Sequence, residues 1–339
     1  MSVLPNLDYA VFFALALAFV VGLYVVLDGF DLGVGILFPF APRSIDRDTM
    51  MDSLEPFWDG NETWLVLGGM VLLTGFPLAF AILLPALYVP LALMLFGLVL
   101  RGIAFEFRGQ GGSFEVIWSS AFAAGSMIAA FCQGAILGAF VSGGISVVDG
   151  RFAGGPFDWL GLFSVITGLG VVAGYGLLGA CWLIWKTDGS TQIFGRELTV
   201  PTLLCTGVAI AVVSLWTPFA LPEVADRWFA WPNFLLLAPL PLIALAGWIG
   251  VWRSRWGRRD WAPLALSLLM FLTSLAGVGA SLWPAAIPGL MTIWEASSMP
   301  RTQAFVALSL VTIVPIILSY MAYGYWVFRG KVRPPSDAA

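Results

Sequence analysis

Three short clusters in the N-terminal third carry acids and a base that an apolar chain has no ordinary use for. Asp28 and Asp31, in DGFDLGVG (Asp28–Gly35), stand three residues apart, so on a helix they share a face. Asp59 and Glu62 repeat that spacing in WDGNETWL (Trp58–Leu65), with Trp58 ahead of them and Asn61 between them. Arg101 and Glu106 belong to RGIAFEFR (Arg101–Arg108). Acids in such places can relay protons, and an arginine can keep neighbouring acids ionised and hydrogen-bonded. A helix end capped by acids in the headgroup zone would account for the first pair alone, and flanking positive charge accounts for Arg108.

The surrounding sequence says where these clusters must sit. Of 339 residues, 60% are hydrophobic and 11% charged, with a mean hydropathy of +0.92. Soluble domains carry roughly 25% charged residues. An ordinary soluble enzyme is excluded, and a net charge of −4 offers no basic patch for nucleic acid. The chain reads as all-α: a single integral membrane domain over 1–339, made of about nine transmembrane helices. The first apolar window, Tyr9–Leu27, has no basic segment before it and no small-residue cleavage site, so it is a retained helix.

The uncharged window Thr63–Leu100 is 38 residues long. As one helix it would reach roughly 57 Å, about twice the hydrocarbon core, so it must be a hairpin. Gly75–Phe76–Pro77 is the expected break and Pro85 the second choice. Helices are then expected near 9–38, 57–75, 78–103, 116–141, 159–185, 198–220, 231–252, 262–283 and 303–328. From Thr63 to Gly75 is about 20 Å, short of a span, so that helix must borrow Asp59 and Glu62. All three clusters then fall at the same ends of three consecutive helices, which suggests one buried polar network.

An odd helix count puts the termini on opposite sides. With the N-terminus outside, 13 of the 16 basic residues fall inside, leaving Arg151, Arg227 and Arg301 outside. The positive-inside rule therefore predicts a periplasmic N-terminus and a cytoplasmic C-terminus. Many tryptophans, among them Trp58, Trp64, Trp228, Trp252, Trp261 and Trp326, stand near window ends, as an interfacial belt would.

The chain has no histidine, so imidazole cannot serve here as heme ligand, metal ligand or proton shuttle. Cys132, Cys181 and Cys205 stand singly in apolar runs, giving no disulfide framework or metal site. Gly174–Gly179 spells G-x-G-x-x-G inside an uncharged helix with no strand before it, so small-residue packing explains it better than a dinucleotide. The run Arg253–Arg259 reads as a cytoplasmic loop that can meet anionic lipid. Glu295, in Trp294–Ser298, is a notable acid on the outer side, suited equally to solvent and to a partner contact.

With DGFDLGVG, WDGNETWL, RGIAFEFR, the late IWEAS (Ile293–Ser297) and a final helix reading VPIILSYMAYGYW (Val314–Trp326), the sequence resembles subunit II of a cytochrome bd-type quinol oxidase. The match covers the N-terminal third and the last 50 residues; residues 110–260 share only the helix pattern. Glu295 departs from the aspartate expected there, and the short outer loops resemble the cyanide-insensitive branch. The resemblance implies a heterodimer in the bacterial inner membrane. Its subunit I holds two b-type hemes, one d-type heme and the quinol site. This chain would bind no cofactor alone, a structural quinone in some members apart. The complex would reduce O2 to water with electrons from quinol, in aerobic respiratory electron transport. A small single-helix subunit is left open. The resemblance further implies that Asp59 lies on a proton path from the cytoplasm, with Glu62, Asp28 and Asp31 as its companions and Arg101, Glu106, Asn61 and Trp58 as the supporting network. The alternative is a proton-coupled secondary transporter, whose acids should lie near mid-span in two corresponding repeats.

The topology is checked by fusions placed after Arg333. Alkaline phosphatase there should be inactive and a fluorescent protein should glow; the opposite pair of results would mean that the span count is off by one.

Overall fold

The computed structural model describes residues 8–108 and 114–333. Its helices in chain order are α1 (Tyr9–Leu37), α2 (Ser44–Asp52), α3 (Trp58–Gly75), α4 (Pro77–Ala86), α5 (Tyr88–Arg108), α6 (Glu115–Val141) and α7 (Leu162–Lys186). There follow α8 (Gly189–Ala220), α9 (Pro222–Phe229), α10 (Asn233–Leu237), α11 (Pro239–Ser254), α12 (Ala262–Leu282), α13 (Ile293–Ala296) and α14 (Pro300–Val327). Two small antiparallel hairpins complete the described residues: β1 (Val147–Val148) with β2 (Arg151–Phe152), and β3 (Ala285–Ile287) with β4 (Met291–Thr292).

Among the described residues, eight stretches are long and apolar enough to cross a membrane, α10 and α11 counting as one. Outside those eight stands α3, whose first two turns carry Asp59, Asn61 and Glu62. Its contacts run along α1. Asn61 donates to the Leu27 carbonyl at 3.3 Å, ten residues before the end of α1, while Gly75 packs on Phe13 near its start. That Phe13 level also holds Gln303 and Ser298, both bonded to the Gly75 carbonyl, and Trp294, whose indole donates to Asp8 at 2.9 Å. Tyr325 reaches Asn61 at the opposite level. Asp8 and the end of α14 therefore lie at opposite ends of the bundle.

The hairpin breaks at Phe76, where Pro77 opens α4. The single helix expected over 78–103 is instead two, α4 and α5, with Leu87 between them. Pro90 is the cause: it has no N–H for the Ala86 carbonyl, and its ring crowds that oxygen. Pro239 likewise divides the helix expected over 231–252 into α10 and α11. The helix expected from 198 starts nine residues earlier, at Gly189, because Arg196 and Glu197 lie in a helical extension beyond the apolar stretch. The short helices α2, α9 and α13 and both hairpins lie outside the ranges expected for the long apolar helices and were not expected.

Glycines let α1 sit in the middle of the bundle. A side chain on Gly33 would strike the Tyr175 carbonyl of α7, one on Gly35 would strike Ser126 of α6, and Gly179 faces the Gly33 backbone in return. Gly29 and Gly33 thus form the small-residue face that α7 needs, and Gly179, from the G-x-G-x-x-G stretch, lies directly against it. Gly97 and Gly125 bring α5 and α6 together in the same way.

The end of the bundle at which α1 finishes is stitched by charge. Asp46 of α2, fully buried, accepts from Arg43 Nε at 2.9 Å, Ser190 at 2.5 Å and Thr191 at 3.0 Å, joining α2 to the start of α8. Arg108 holds Asp48 at 2.7 Å and Glu115 at 3.2 Å. Asp260 takes Arg196 at 2.6 Å and Lys331 at 2.7 Å. Burial raises the Asp46 carboxyl, but the hydrogen bonds from Arg43, Ser190 and Thr191 outweigh it and hold it below the ordinary 3.8. The same balance, struck by Lys331, Arg196 and Gln192, holds Asp260 low.

A depressed folded value means that Asp46 contributes stability fully above about 3.8 and loses it as pH falls through the lower folded value. Asp46→Asn should cost about 1–3 kcal/mol at neutral pH. In thermal melts of the detergent-solubilised protein, the gap to the unmutated chain should close below pH 3.8. A gap that does not change with pH would contradict this role.

Candidate functional site

The polar clusters of the sequence meet around one guanidinium. Arg101, 1% exposed, leaves α5 and places Nη1 2.8 Å from Asp28 Oδ1, on α1. Its Nη2 contacts Glu62 Oε1, on α3. Three helices are thereby tied through a single side chain. Asp28 and Asp31 have no exposed surface, while the Glu62 side chain is 25% exposed and forms the rim of the cluster.

Asp31 is served from a different direction. Asn61 Nδ2 donates to Asp31 Oδ2 at 2.7 Å, and the Tyr325 hydroxyl of α14 donates to Asn61 Oδ1 at 3.0 Å. Tyr325 is held in turn by stacking on Phe57, with ring centroids 4.4 Å apart. Trp58 stacks on Phe105 at 5.3 Å and lies over Gly102, so it packs α3 against α5 and donates no hydrogen bond to the acids. Asp28 Oδ2 and Asp31 Oδ1 meet no protein donor. Arg101 Nε is likewise without a partner, so the cluster keeps an unused donor beside unused acceptors.

Two expected members lie outside it. Asp59 is exposed, and no side-chain bond from it to the cluster forms. Three residues along a helix turn the chain through about 300°, so Asn61 and Trp64 face α1 while Asp59, Thr63, Val66 and Met70 form the exposed side. Glu106 is exposed too, on the far side of α5 from Arg101, and joins neither Arg101 nor Arg108. Glu295 caps α13: the Thr292 N–H and hydroxyl both donate to its Oε2 at 2.8 Å. Those bonds hold its carboxyl below the ordinary range.

Other members were not foreseen. The Tyr24 hydroxyl lies beside Asp28 and accepts from Gln133 Nε2 at 2.6 Å; Tyr175 donates to Gln133 Oε1 at 2.8 Å. This chain carries the cluster from α1 into α6 and α7. Tyr24 stands four residues before Asp28, hence on the same helix face, and Gln133 is a lone amide in an apolar span. Both signals were present in the sequence, though neither names its partner.

Comparison with known proteins adds the lineage. Residues 9–328 match the family described as cytochrome bd terminal oxidase subunit II. The chain belongs to that family. It is 26% identical over 346 residues to the cytochrome bd-I ubiquinol oxidase subunit 2 of Escherichia coli K12, covering 91% of each protein. It is 25% identical over 311 residues to the cytochrome bd ubiquinol oxidase subunit 2 of Bacillus subtilis, covering 90% of this chain and 91% of that one. A chain in the structure of bd oxidase from Geobacillus thermodenitrificans superposes with a TM-score of 0.73 at 15% identity, over 95% of this chain and 99% of that one, and so shares its fold. The chain is thus a multi-pass membrane subunit of an oxidoreductase complex whose cofactors are hemes and whose catalytic subunit is a partner.

Removing the guanidinium would strand buried carboxyls. Arg101→Ala should destabilise the fold by about 3–5 kcal/mol. In an Asp28→Asn background the same change should cost less, because one stranded charge is gone. Thermal unfolding of the four proteins in detergent measures the coupling; additive effects would show that the two residues do not interact.

Proposed function

We propose that this chain is the non-heme-ligating subunit of a quinol:oxygen oxidoreductase in a bacterial inner membrane, and that it carries protons from the cytoplasm toward a heme-bearing subunit I. The observation that carries this reading is the cluster itself: three carboxyls around one buried guanidinium, with a rim acid at Glu62 and unserved oxygens on Asp28 and Asp31. A carboxyl that takes up a proton becomes a donor, which the neighbouring carboxyl oxygens can hold and hand on. With no histidine, the chain has no imidazole to offer a heme iron, so hemes belong to the partner. Subunit I would hold two b-type hemes and one d-type heme, and these would supply electron transfer from quinol to O2. A structural quinone and a small single-helix subunit are compatible additions.

Orientation follows from charge. Arg43, Arg108, Lys186, Arg196 and Lys331 gather at the end where α1 finishes, and Arg227 at the other. Under the positive-inside rule the first end is cytoplasmic and the N-terminus periplasmic. Glu62 then opens the cluster toward the cytoplasmic side. Asp59, exposed from a membrane-crossing helix at the same depth, needs a polar neighbour outside this chain, and subunit I is the neighbour that the family supplies. Asp59 would be the exit to the partner, with Glu62, Arg101, Asp28 and Asp31 behind it. No observation favours the proton-coupled transporter: the fully buried acids among the described residues are Asp28, Asp31 and Asp46, with no second set in a later repeat.

Asp59→Asn keeps shape and removes the titrating group. The variant should assemble with its heme-bearing partner and consume oxygen at least about tenfold more slowly per heme, the lower end of a proton-transfer contribution. Asp59→Glu should recover part of the rate. Turnover per heme equal to the unmutated complex would show that the route bypasses this residue.

A further inference from the structure

The loop between α11 and α12 is fixed in shape and leaves its cations unpaired. Arg196 of α8, 9% exposed, donates to the Arg255 carbonyl and holds Asp260 at 2.6 Å. Trp256 lies over the same guanidinium at 5.6 Å. Lys331 gives Asp260 a second cation at 2.7 Å and reaches Asp188 at 3.0 Å. One buried arginine therefore pins both ends of the loop, and Asp260 and Asp188 are already taken.

Arg253, Arg258 and Arg259 are exposed and have no side-chain hydrogen bond, ion pair or ring contact; among the described arginines, Arg151 and Arg301 alone share that condition. Glu197, the exposed acid next to Arg196, pairs with none of them. Arg255 lies over Trp252 at 4.7 Å, and its Nε is enclosed without an acceptor. Trp252, Trp256 and Trp261 present large exposed ring surface along the same stretch.

We propose that this loop is a docking surface for anionic phospholipid, with Arg253, Arg258 and Arg259 binding headgroup phosphate. The loop joins two membrane-crossing helices, so it lies at headgroup depth on whichever side it stands, and tryptophan favours that depth. Guanidinium groups match phosphate oxygens in pairs, and a loop already held by Arg196 loses little freedom on binding. Clusters of this size beside a membrane helix attract anionic lipid, each cation contributing about fivefold in affinity. The surface is separate from the acid cluster and independent of the proton route.

The test uses the whole complex, exchanged into nanodiscs containing equal phosphatidylglycerol and phosphatidylcholine, with retained lipid counted by native mass spectrometry. Phosphatidylglycerol should be retained in preference, and R253Q/R258Q/R259Q should weaken its retention about 100-fold. If that triple variant fails to insert, the unmutated complex decides by salt: retention should fall as sodium chloride rises. Equal retention of the two lipids, unchanged retention in the glutamine variant, or indifference to salt would each overturn the proposal. So would full displacement of the lipid by inorganic phosphate at matched ionic strength, which would mark a site for the free anion, or by an acidic peptide, which would mark a protein-docking face.

Discussion

Arg101 is the interaction on which the rest of the molecule depends. A buried guanidinium is tolerable only with carboxylates at hand, and buried carboxylates only with a cation or donors at hand. Arg101 satisfies both conditions at once by joining Asp28 of α1 and Glu62 of α3 from its place on α5. The three helices cannot slide or rotate independently without separating opposite charges in a medium of low dielectric. Their register is therefore set at one depth, and the remaining helices pack against a core whose geometry is already fixed.

That register makes demands on the backbone. To bring Asp28 and Asp31 into the interior, α1 must be surrounded, and there is no room for side chains where α6 and α7 approach it. Gly33 and Gly35 provide the clearance, and Gly179 answers from α7. The motif around the two aspartates is thus as much a packing motif as a chemical one. The acids, three residues apart, keep to one face of the helix, while Gly29 and Gly33, four apart, keep to the face that meets α7.

The same cluster divides into an enclosed part and an open part. Asp28 and Asp31 are closed off and extend inward through Tyr24, Gln133 and Tyr175, whereas Glu62 stands at the rim. At the level where α1 ends, ion pairs centred on Asp46, Asp260 and Arg108 fasten the connecting loops. These lie nearer to water and respond to pH and salt. Fastened connections thus lie beneath a buried polar core.

Much of this was legible in the sequence. The absence of histidine is read directly from composition, and the apolar windows, the forced hairpin and the polar residues that α3 had to borrow follow from counting residues against the thickness of a bilayer, a constraint that acts on each segment alone. The break at Phe76 and the meeting of Arg101 with the acids were expected on those grounds. Proline effects at Pro90 and Pro239 were local too, though they show only once the carbonyl four residues back is considered. The tertiary structure alone decided which acids are inside. Asp59 and Glu62 share a spacing and a motif, yet Glu62 reaches Arg101 and Asp59 faces away, because the rotation of α3 is set by Asn61 and Trp64 packing toward α1. The link from Asp31 to Tyr325 crosses 294 positions of sequence by way of Asn61. Helix rotation and long-range pairing depend on neighbours that no single segment specifies, so the residue types were set by the sequence and their roles by the assembled bundle.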